Sequence, residues 1–229
     1  MTTTTKTRDA MLSNLMSATI SRRRMLINAG IGGAALATMG VAGKVAAQMD
    51  ATPMPGMEMD EAPFGSAIDV LNYALTLEHL ESAFYRDGLA EIGVDGITAL
   101  GFQSSVFDSL SEIGAHEAAH VTTLTDVITQ LGGEPVAEAM YDFGYTDAAS
   151  FLQVAQALED TGVAAYQGAA QYLIDEDELL TAALTIHGVE ARHAAYLALV
   201  NWTNPFPEAV NPTLTPAEVL DIATPFITG

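Results

Sequence analysis

Apolar residues recur at helical spacing in four long stretches, and two of those stretches carry the same interruption. Val106, Leu110, Ile113, Leu124 and Ile128 share one helical face, and Glu117 and His120, three residues apart, lie on that face too. Leu179, Ala183, Ile186, Leu197 and Val200 repeat the arrangement around Glu190 and His193. A carboxylate in the middle of a core-facing stripe is costly to bury unless something compensates its charge. The periodicity predicts helices over about 66–89, 102–131, 147–174 and 176–201. Gly93 and Gly96 predict a break after the first, and Gly132-Gly133 with Pro135 ends the second. The connection that follows, about 132–146, is the long one and contains Tyr141, Phe143 and Tyr145. The acids Asp175 to Glu178 suit the positive first turn of the fourth helix. Thr215-Pro216-Ala217-Glu218 predicts a short helix over 216–223 that packs on the bundle. No segment alternates with a period of two, so no sheet is expected. The fold class is all-α: a four-helix bundle with a long crossover between its second and third helices and a short C-terminal helix.

The other two helices complete the polar set. The first carries the stripe Leu71, Leu75, Glu78, Ser82, Tyr85, with Ala74, Leu77, Glu81 and Phe84 beside it; the third carries Leu152, Ala155, Glu159, Tyr166, Leu173. Glu78 is followed seven residues on by Tyr85, and Glu159 by Tyr166. The chain is thus a two-fold repeat, Glu78, Glu117 and His120 answering to Glu159, Glu190 and His193. Side-by-side packing lets all six point at one place on the bundle axis. Four carboxylates crowded in a low-dielectric core repel one another and lose hydration. Protonating most of them is one escape, and two divalent cations, which balance four negative charges, are a better one. Carboxylate and imidazole ligands suit Fe, Mn or Zn. One Glu from each of two helices plus Glu-x-x-His from each of two others is the pattern of di-iron and di-manganese carboxylate sites in four-helix bundles.

Several neighbours compete for roles. Glu81 is an alternative to Glu78, and the Glu-to-Tyr spacing shared with Glu159 favours Glu78. Glu81 is then an acceptor behind the ligands, an extra ligand, or a partly exposed acid at a helix contact. Tyr85 and Tyr166 read as hydrogen-bond donors behind the ligands, as redox-active phenols, or as ordinary core tyrosines. His187, one turn before Glu190, is a further ligand or donor candidate. His116 should lie about 100° off the ligand face, at the surface or a helix interface. His79 is expected at an interface or exposed, and Arg192 is expected to pair with a surface carboxylate.

Composition narrows the chemistry. There is no Cys, so metal ligands must come from Asp, Glu and His. Of the 29 acids all but Asp9, and of the eight Lys and Arg only Arg86 and Arg192, lie beyond residue 47. So acidic a surface repels phosphate backbones and argues against nucleic-acid binding. Residues 1–47 read as a targeting segment. Ser21-Arg22-Arg23-Arg24-Met25-Leu26 resembles a twin-arginine motif ahead of a mildly apolar run from Ile27 to Ala42, and Val45-Ala46-Ala47 offers a cleavage site. The run is short and weakly hydrophobic for a membrane span, so no stable span is expected after cleavage. Export would deliver the protein to the periplasm, cell envelope or extracellular space. Residues 48–65 carry Met49, Met54, Met57 and Met59 among Pro, Gly and acids. Thioethers suit Cu(I), but nothing else supports copper, and the stretch reads as a linker. The bundle is assigned to 66–202 and a tail to 203–229.

Over about 66–227 the chain resembles the ferritin-like superfamily, and especially its exported ferritin-like domain proteins related to plant desiccation-associated proteins. The resemblance includes Leu71-Asn72-Tyr73-Ala74-Leu75-Thr76-Leu77-Glu78 and the tail Pro212-Thr213-Leu214-Thr215-Pro216-Ala217-Glu218-Val219-Leu220. It implies Glu78, Glu117, His120, Glu159, Glu190 and His193 as ligands of two divalent ions, iron first and manganese next, with Glu117 and Glu190 as bridges. The expected activity is oxidation of Fe(II) or breakdown of peroxide in stress protection, with O2 or peroxide as partner. The alternative is a non-catalytic protein that sequesters metal or uses it to staple the bundle in a stress or desiccation role. A homodimer through the bundle sides is compatible with the pattern, which does not fix the oligomer.

Overall fold

The computed structural model describes residues 63–228. The stretch read as a targeting segment, with Ser21 to Leu26, and Met49, Met54, Met57 and Met59 lie outside the described residues. Helix α1 spans Ala67–Ala99, α2 Ser104–Gln130, α3 Ala148–Ala169, α4 Asp177–Val200 and α5 Pro216–Ala223, with 3-10 turns at Ala170–Leu173 and Thr224–Phe226. The starts follow local chemistry. The Ser66 hydroxyl accepts from the Asp69 amide at 3.3 Å. Asp147 with Ser150, and Thr215 with Glu218, form reciprocal caps on α3 and α5. Among the described residues there is no strand, only an isolated antiparallel bridge between Tyr141 and Ile227.

One boundary differs from the expectation. The first helix does not end near Leu89 but runs to Ala99, with a kink at Gly93 (φ 62°, ψ 173°). Glycine takes that left-handed turn without steric penalty, so a single residue absorbs the bend and the helix resumes. Burying Ile97, which is fully enclosed, holds the added segment in place. The third helix tightens into its 3-10 turn at Ala170, a few residues before the expected end.

α1 packs along α2, α3 packs along α4, and α1 against α3 joins the two pairs. One apolar cluster gathers Leu71 and Leu75 of α1, Leu124 and Ile128 of α2, Tyr166 of α3 and Ile186 of α4. The other, larger cluster includes Phe84 and Tyr85 of α1, Leu110 and Ile113 of α2, Phe151 and Leu152 of α3, and Leu197 and Val200 of α4. That order along each chain means α1 and α4 run one way and α2 and α3 the other. It also leaves a layer between the two clusters, where every helix brings its interrupting polar residues. The tail returns to the bundle as expected: Pro216, Val219 and Ala223 of α5 are buried. Its last residues pair with the α2–α3 connection, the Asp142 amide donating to the Phe226 carbonyl and the Thr228 amide to that of Met140, both at 2.8 Å. No helix of the described residues is long and apolar enough to cross a membrane.

Candidate metal centre

The layer between the clusters holds Glu78, Glu117, Glu159 and Glu190, all at 0 % exposure, together with buried His120 and His193. Three-residue spacing on α2 and α4 stacks each Glu under its own His, as the periodicity predicts. The six side chains form two groups. Glu78, Glu117, His120 and Glu190 bring one ligand atom each within 4.8 Å of one another, and so do Glu117, Glu159, Glu190 and His193. Glu117 and Glu190 belong to both. Glu117 divides its oxygens, Oε2 lying 3.0 Å from His120 Nδ1 and Oε1 2.9 Å from His193 Nδ1. Glu78 Oε2 is 3.1 Å from His120 Nδ1, and Glu159 Oε2 is 3.2 Å from His193 Nδ1.

The tyrosines cross over. The Tyr166 hydroxyl donates to Glu78 Oε1 at 2.5 Å, and the Tyr85 hydroxyl to Glu159 Oε1 at 2.6 Å. Each Glu–Tyr pair seven residues apart in sequence is thus divided between the two halves, the Tyr of one helix holding the Glu of the other. Burial, then the neighbouring carboxylate, keeps both phenols well above their ordinary pKa, so they remain donors.

Electrostatics sorts the carboxylates. Burial pushes Glu78 up to about 8, helped by Glu190 and Glu117 and opposed by His120. Burial likewise holds Glu159 well above the usual range. Burial would raise Glu117 too, but the imidazoles of His120 and His193 beside it hold it down at about 2. Burial alone would depress the imidazoles, yet the surrounding carboxylates carry His120 up to about 12 and His193 to about 10. Protons therefore do part of the charge compensation in this state.

They do not do all of it. Glu117 Oε1 and both oxygens of Glu190 are buried without a hydrogen-bond partner. His193 Nδ1 sits 2.9 Å from Glu117 Oε1 and His120 Nδ1 3.2 Å from Glu190 Oε1, but these contacts are not aligned for hydrogen bonding. Such orphaned oxygens are rare in a folded core. Two ligand atoms at right angles around an ion with bonds of about 2.1 Å stand roughly 3 Å apart, the spacing found here. The hard oxygen and imidazole donors, the two carboxylates common to both groups and the oxygens without a hydrogen-bond partner fit divalent cations.

The remaining candidates fall around this core. Glu81 is buried, and burial plus the charges of Glu190 and Glu159 hold its pKa well above normal. It joins neither group of ligand atoms. A Cβ on Gly162 would lie 3.0 Å from Glu81 Oε1 and 3.1 Å from Glu190 Oε2, so the two acids meet across the space this glycine leaves. A small cavity of about 10 Å³, lined by Glu81, Thr161, Gly162 and Ile222 among others, opens beside them. His187 stands outside both groups; its Nε2 is buried without a partner, and burial lowers its pKa. His79 lies at an interface, its Nε2 3.1 Å from the Val136 carbonyl oxygen. Arg192 corrects an expectation: its guanidinium donates to the Gly188 carbonyl at 2.7 Å, within its own helix, rather than to a surface carboxylate.

His116 lies on the exposed face of α2, as expected, but it also reaches α4. Its Nδ1 is 3.0 Å from His193 Nε2, and the rings are 10° from parallel with centroids 5.2 Å apart. The signal was its place directly before Glu117 and one turn before His120. His-Glu-x-x-His on a helix is also a zinc-binding pattern in which both histidines hold one ion. Here His116 joins neither ligand group.

Four helices meeting in a layer of four glutamates and two histidines define a ferritin-like bundle with a site able to hold metal. Residues 66–201 match the model of the ferritin-like domain family, and the chain belongs to that family. It is similar in fold to a ferritin-like, diiron-carboxylate protein from Bacillus anthracis str. Ames (TM-score 0.51, 20 % identity, 58 % of this chain and 94 % of that one). A conserved hypothetical protein from Mycobacterium tuberculosis matches with a TM-score of 0.48 and 18 % identity, over 62 % of this chain and 94 % of that one. No curated protein matches the chain.

Proposed function

We propose that this ferritin-like protein is exported, loads a dinuclear centre of divalent metal, iron first and manganese next, and oxidises Fe(II) or breaks down peroxide in stress protection. The observation that carries the reading is the pair of ligand groups sharing Glu117 and Glu190, with three of the shared carboxylate oxygens buried without a hydrogen-bond partner. The fold shared with a protein described as diiron-carboxylate supports the choice of iron. Export rests on the sequence Ser21-Arg22-Arg23-Arg24-Met25-Leu26 and the apolar run behind it.

Held by these residues, divalent ions would supply the valence change that Fe(II) oxidation or peroxide breakdown requires. The protein's own part is geometric and electrostatic. Glu117 offers one oxygen to each half of the site. Tyr85 and Tyr166 fix Oε1 of Glu159 and Glu78 and leave each Oε2 facing an imidazole Nδ1. The two apolar clusters keep bulk water from the layer, which strengthens every charge interaction within it.

The test is elemental analysis of the full chain purified from its native host, followed by O2-consumption and peroxide assays. Two ions per chain with turnover of Fe(II) or peroxide is the expected result. Two ions without turnover would make the site a store or a staple, and fewer than two would end the dinuclear reading.

A further inference from the structure

The two halves of the site are related by the sequence repeat, but they are not equal. In α2 the residue before the Glu-x-x-His pair is His116; in α4 it is Val189. The approximate two-fold relation that exchanges α2 with α4 pairs the reach of His116 toward His193 with the reach of Val189 toward His120. Valine can neither donate nor accept. Accordingly His193 Nε2 has a partner in His116 Nδ1 at 3.0 Å, while no hydrogen bond to His120 Nε2 is found among the described residues.

We propose that His116 is a positioning residue which makes the cation position on the His193 side the tighter of the two. This rests on the reading that the layer loads two ions. His193 turns Nδ1 toward Glu117 and Glu159, at 2.9 and 3.2 Å, so its proton belongs on Nε2 when Nδ1 serves a cation. His116 Nδ1 then accepts that proton's hydrogen bond, and the proton of His116 sits on its own Nε2, toward solvent. The contact selects the ligating tautomer of His193, fixes its ring plane and strengthens Nδ1 as a donor. His120 gains none of the three. Removing such a partner behind a metal-bound histidine weakens the metal by about 10- to 100-fold. Because His116 is exposed, its replacement leaves the apolar clusters untouched, and phenylalanine keeps a flat ring beside His193.

The experiment is anaerobic calorimetric titration of the full chain with Co(II), with the visible spectrum of bound Co(II) recorded at each step. The wild type is expected to bind in two resolved steps. His120→Ala is expected to keep the tighter step and His193→Ala to lose it. His116→Phe is expected to weaken the tighter step about 10- to 100-fold, to shift its Co(II) spectrum and to leave the other step alone. His116→Gln, which keeps an acceptor, should recover part of that loss, and Val189→His on the His116→Phe background should move the advantage to the His120 side. Two equal steps in the wild type, equal weakening of both by His116→Phe, no weakening at all, or a lower melting temperature of metal-free His116→Phe would each overturn the proposal. A wild type that holds fewer than two ions removes the dinuclear reading as well. Failure of His116→Phe alone, in a protein that holds two, removes only this inference.

Discussion

Phe84 and Phe151 stack with centroids 4.6 Å apart and planes 5° from parallel, and Phe143 and Tyr145 meet Phe84 edge-on. Six residues back along α1, Glu78 stands in a layer with three other fully buried carboxylates. The same four helices build both regions. The aromatic end closes on itself: its rings satisfy one another by contact, and burial is its own reward. The polar layer does not close, since oxygens of Glu117 and Glu190 find no hydrogen-bond partner. One region specifies the bundle, and the other uses the bundle's rigidity to keep charges together that would separate in water. Perturbing each region in turn should therefore give different signatures.

The largest expected effect is at Glu117, the residue with an oxygen toward each half. Glu117→Ala should abolish retention of both ions, measured as metal content after dialysis, with helical circular dichroism unchanged. Retention of two ions would show that the layer does not depend on its shared carboxylate. At the aromatic end, Phe151→Ala removes a fully buried ring and should destabilise the protein by about 3–5 kcal/mol. Urea unfolding should give the same loss with metal present and with metal chelated. A loss that depends on metal would mean the two regions are coupled, and the contrast between them would fail.

The sequence revealed the two regions unevenly. The six polar residues were legible because helical periodicity is rigid: Glu117 with His120, and Glu190 with His193, must share a face wherever their helix packs. Repetition of the pattern then placed the halves together. The crossed pairing of Tyr85 with Glu159 and Tyr166 with Glu78 was not legible, because seven-residue spacing fixes position along one helix and says nothing of the partner across the axis. Gly93 misled, since a glycine that ends one helix and a glycine that kinks one look alike in sequence; what decides is Ile97, whose burial holds the continuation. The helical angle puts His116 off the ligand face, at the surface or a helix interface, yet its contact with His193 depends on the separation of α2 and α4, which no local pattern encodes. Gly162 carries no signal in the sequence, because the reason for it is an absent Cβ between Glu81 and Glu190.

Metal removal sharpens the comparison at intermediate size. With free metal at about 100 times Kd, loading should stabilise the protein by about 2.7 kcal/mol, all of it lost to a chelator. The gain should grow with pH. Without metal, His120 and His193 are raised to about 12 and 10 and Glu78 to about 8, so at neutral pH protons occupy atoms that the ions need. Raising the pH toward those values removes the competitor, so affinity rises, and lowering it has the opposite sign. Loading at neutral pH should release protons, visible as a binding heat that varies with the ionisation enthalpy of the buffer. A heat independent of buffer would mean that the layer is already deprotonated.

The smallest effects are expected at the two phenols, and their equality is the informative part. Tyr85 and Tyr166 hold Glu159 and Glu78 at 2.6 and 2.5 Å, each across the axis from its own half. Both hydroxyls are buried, and both fix the oxygen that faces away from the imidazole. Tyr85→Phe and Tyr166→Phe should each weaken one ion about tenfold, with little change in stability beyond roughly 1 kcal/mol for a lost hydrogen bond. Because the contacts match, the two losses should match, unlike those at His116 and Val189, where the repeat has diverged. A large loss from one phenol and none from the other, measured by the same metal titration, would show that Tyr85, in the aromatic cluster, is held by its rings rather than by Glu159, or that Tyr166 is held by its aliphatic neighbours. The boundary between the self-sufficient end and the dependent layer would then run through that tyrosine.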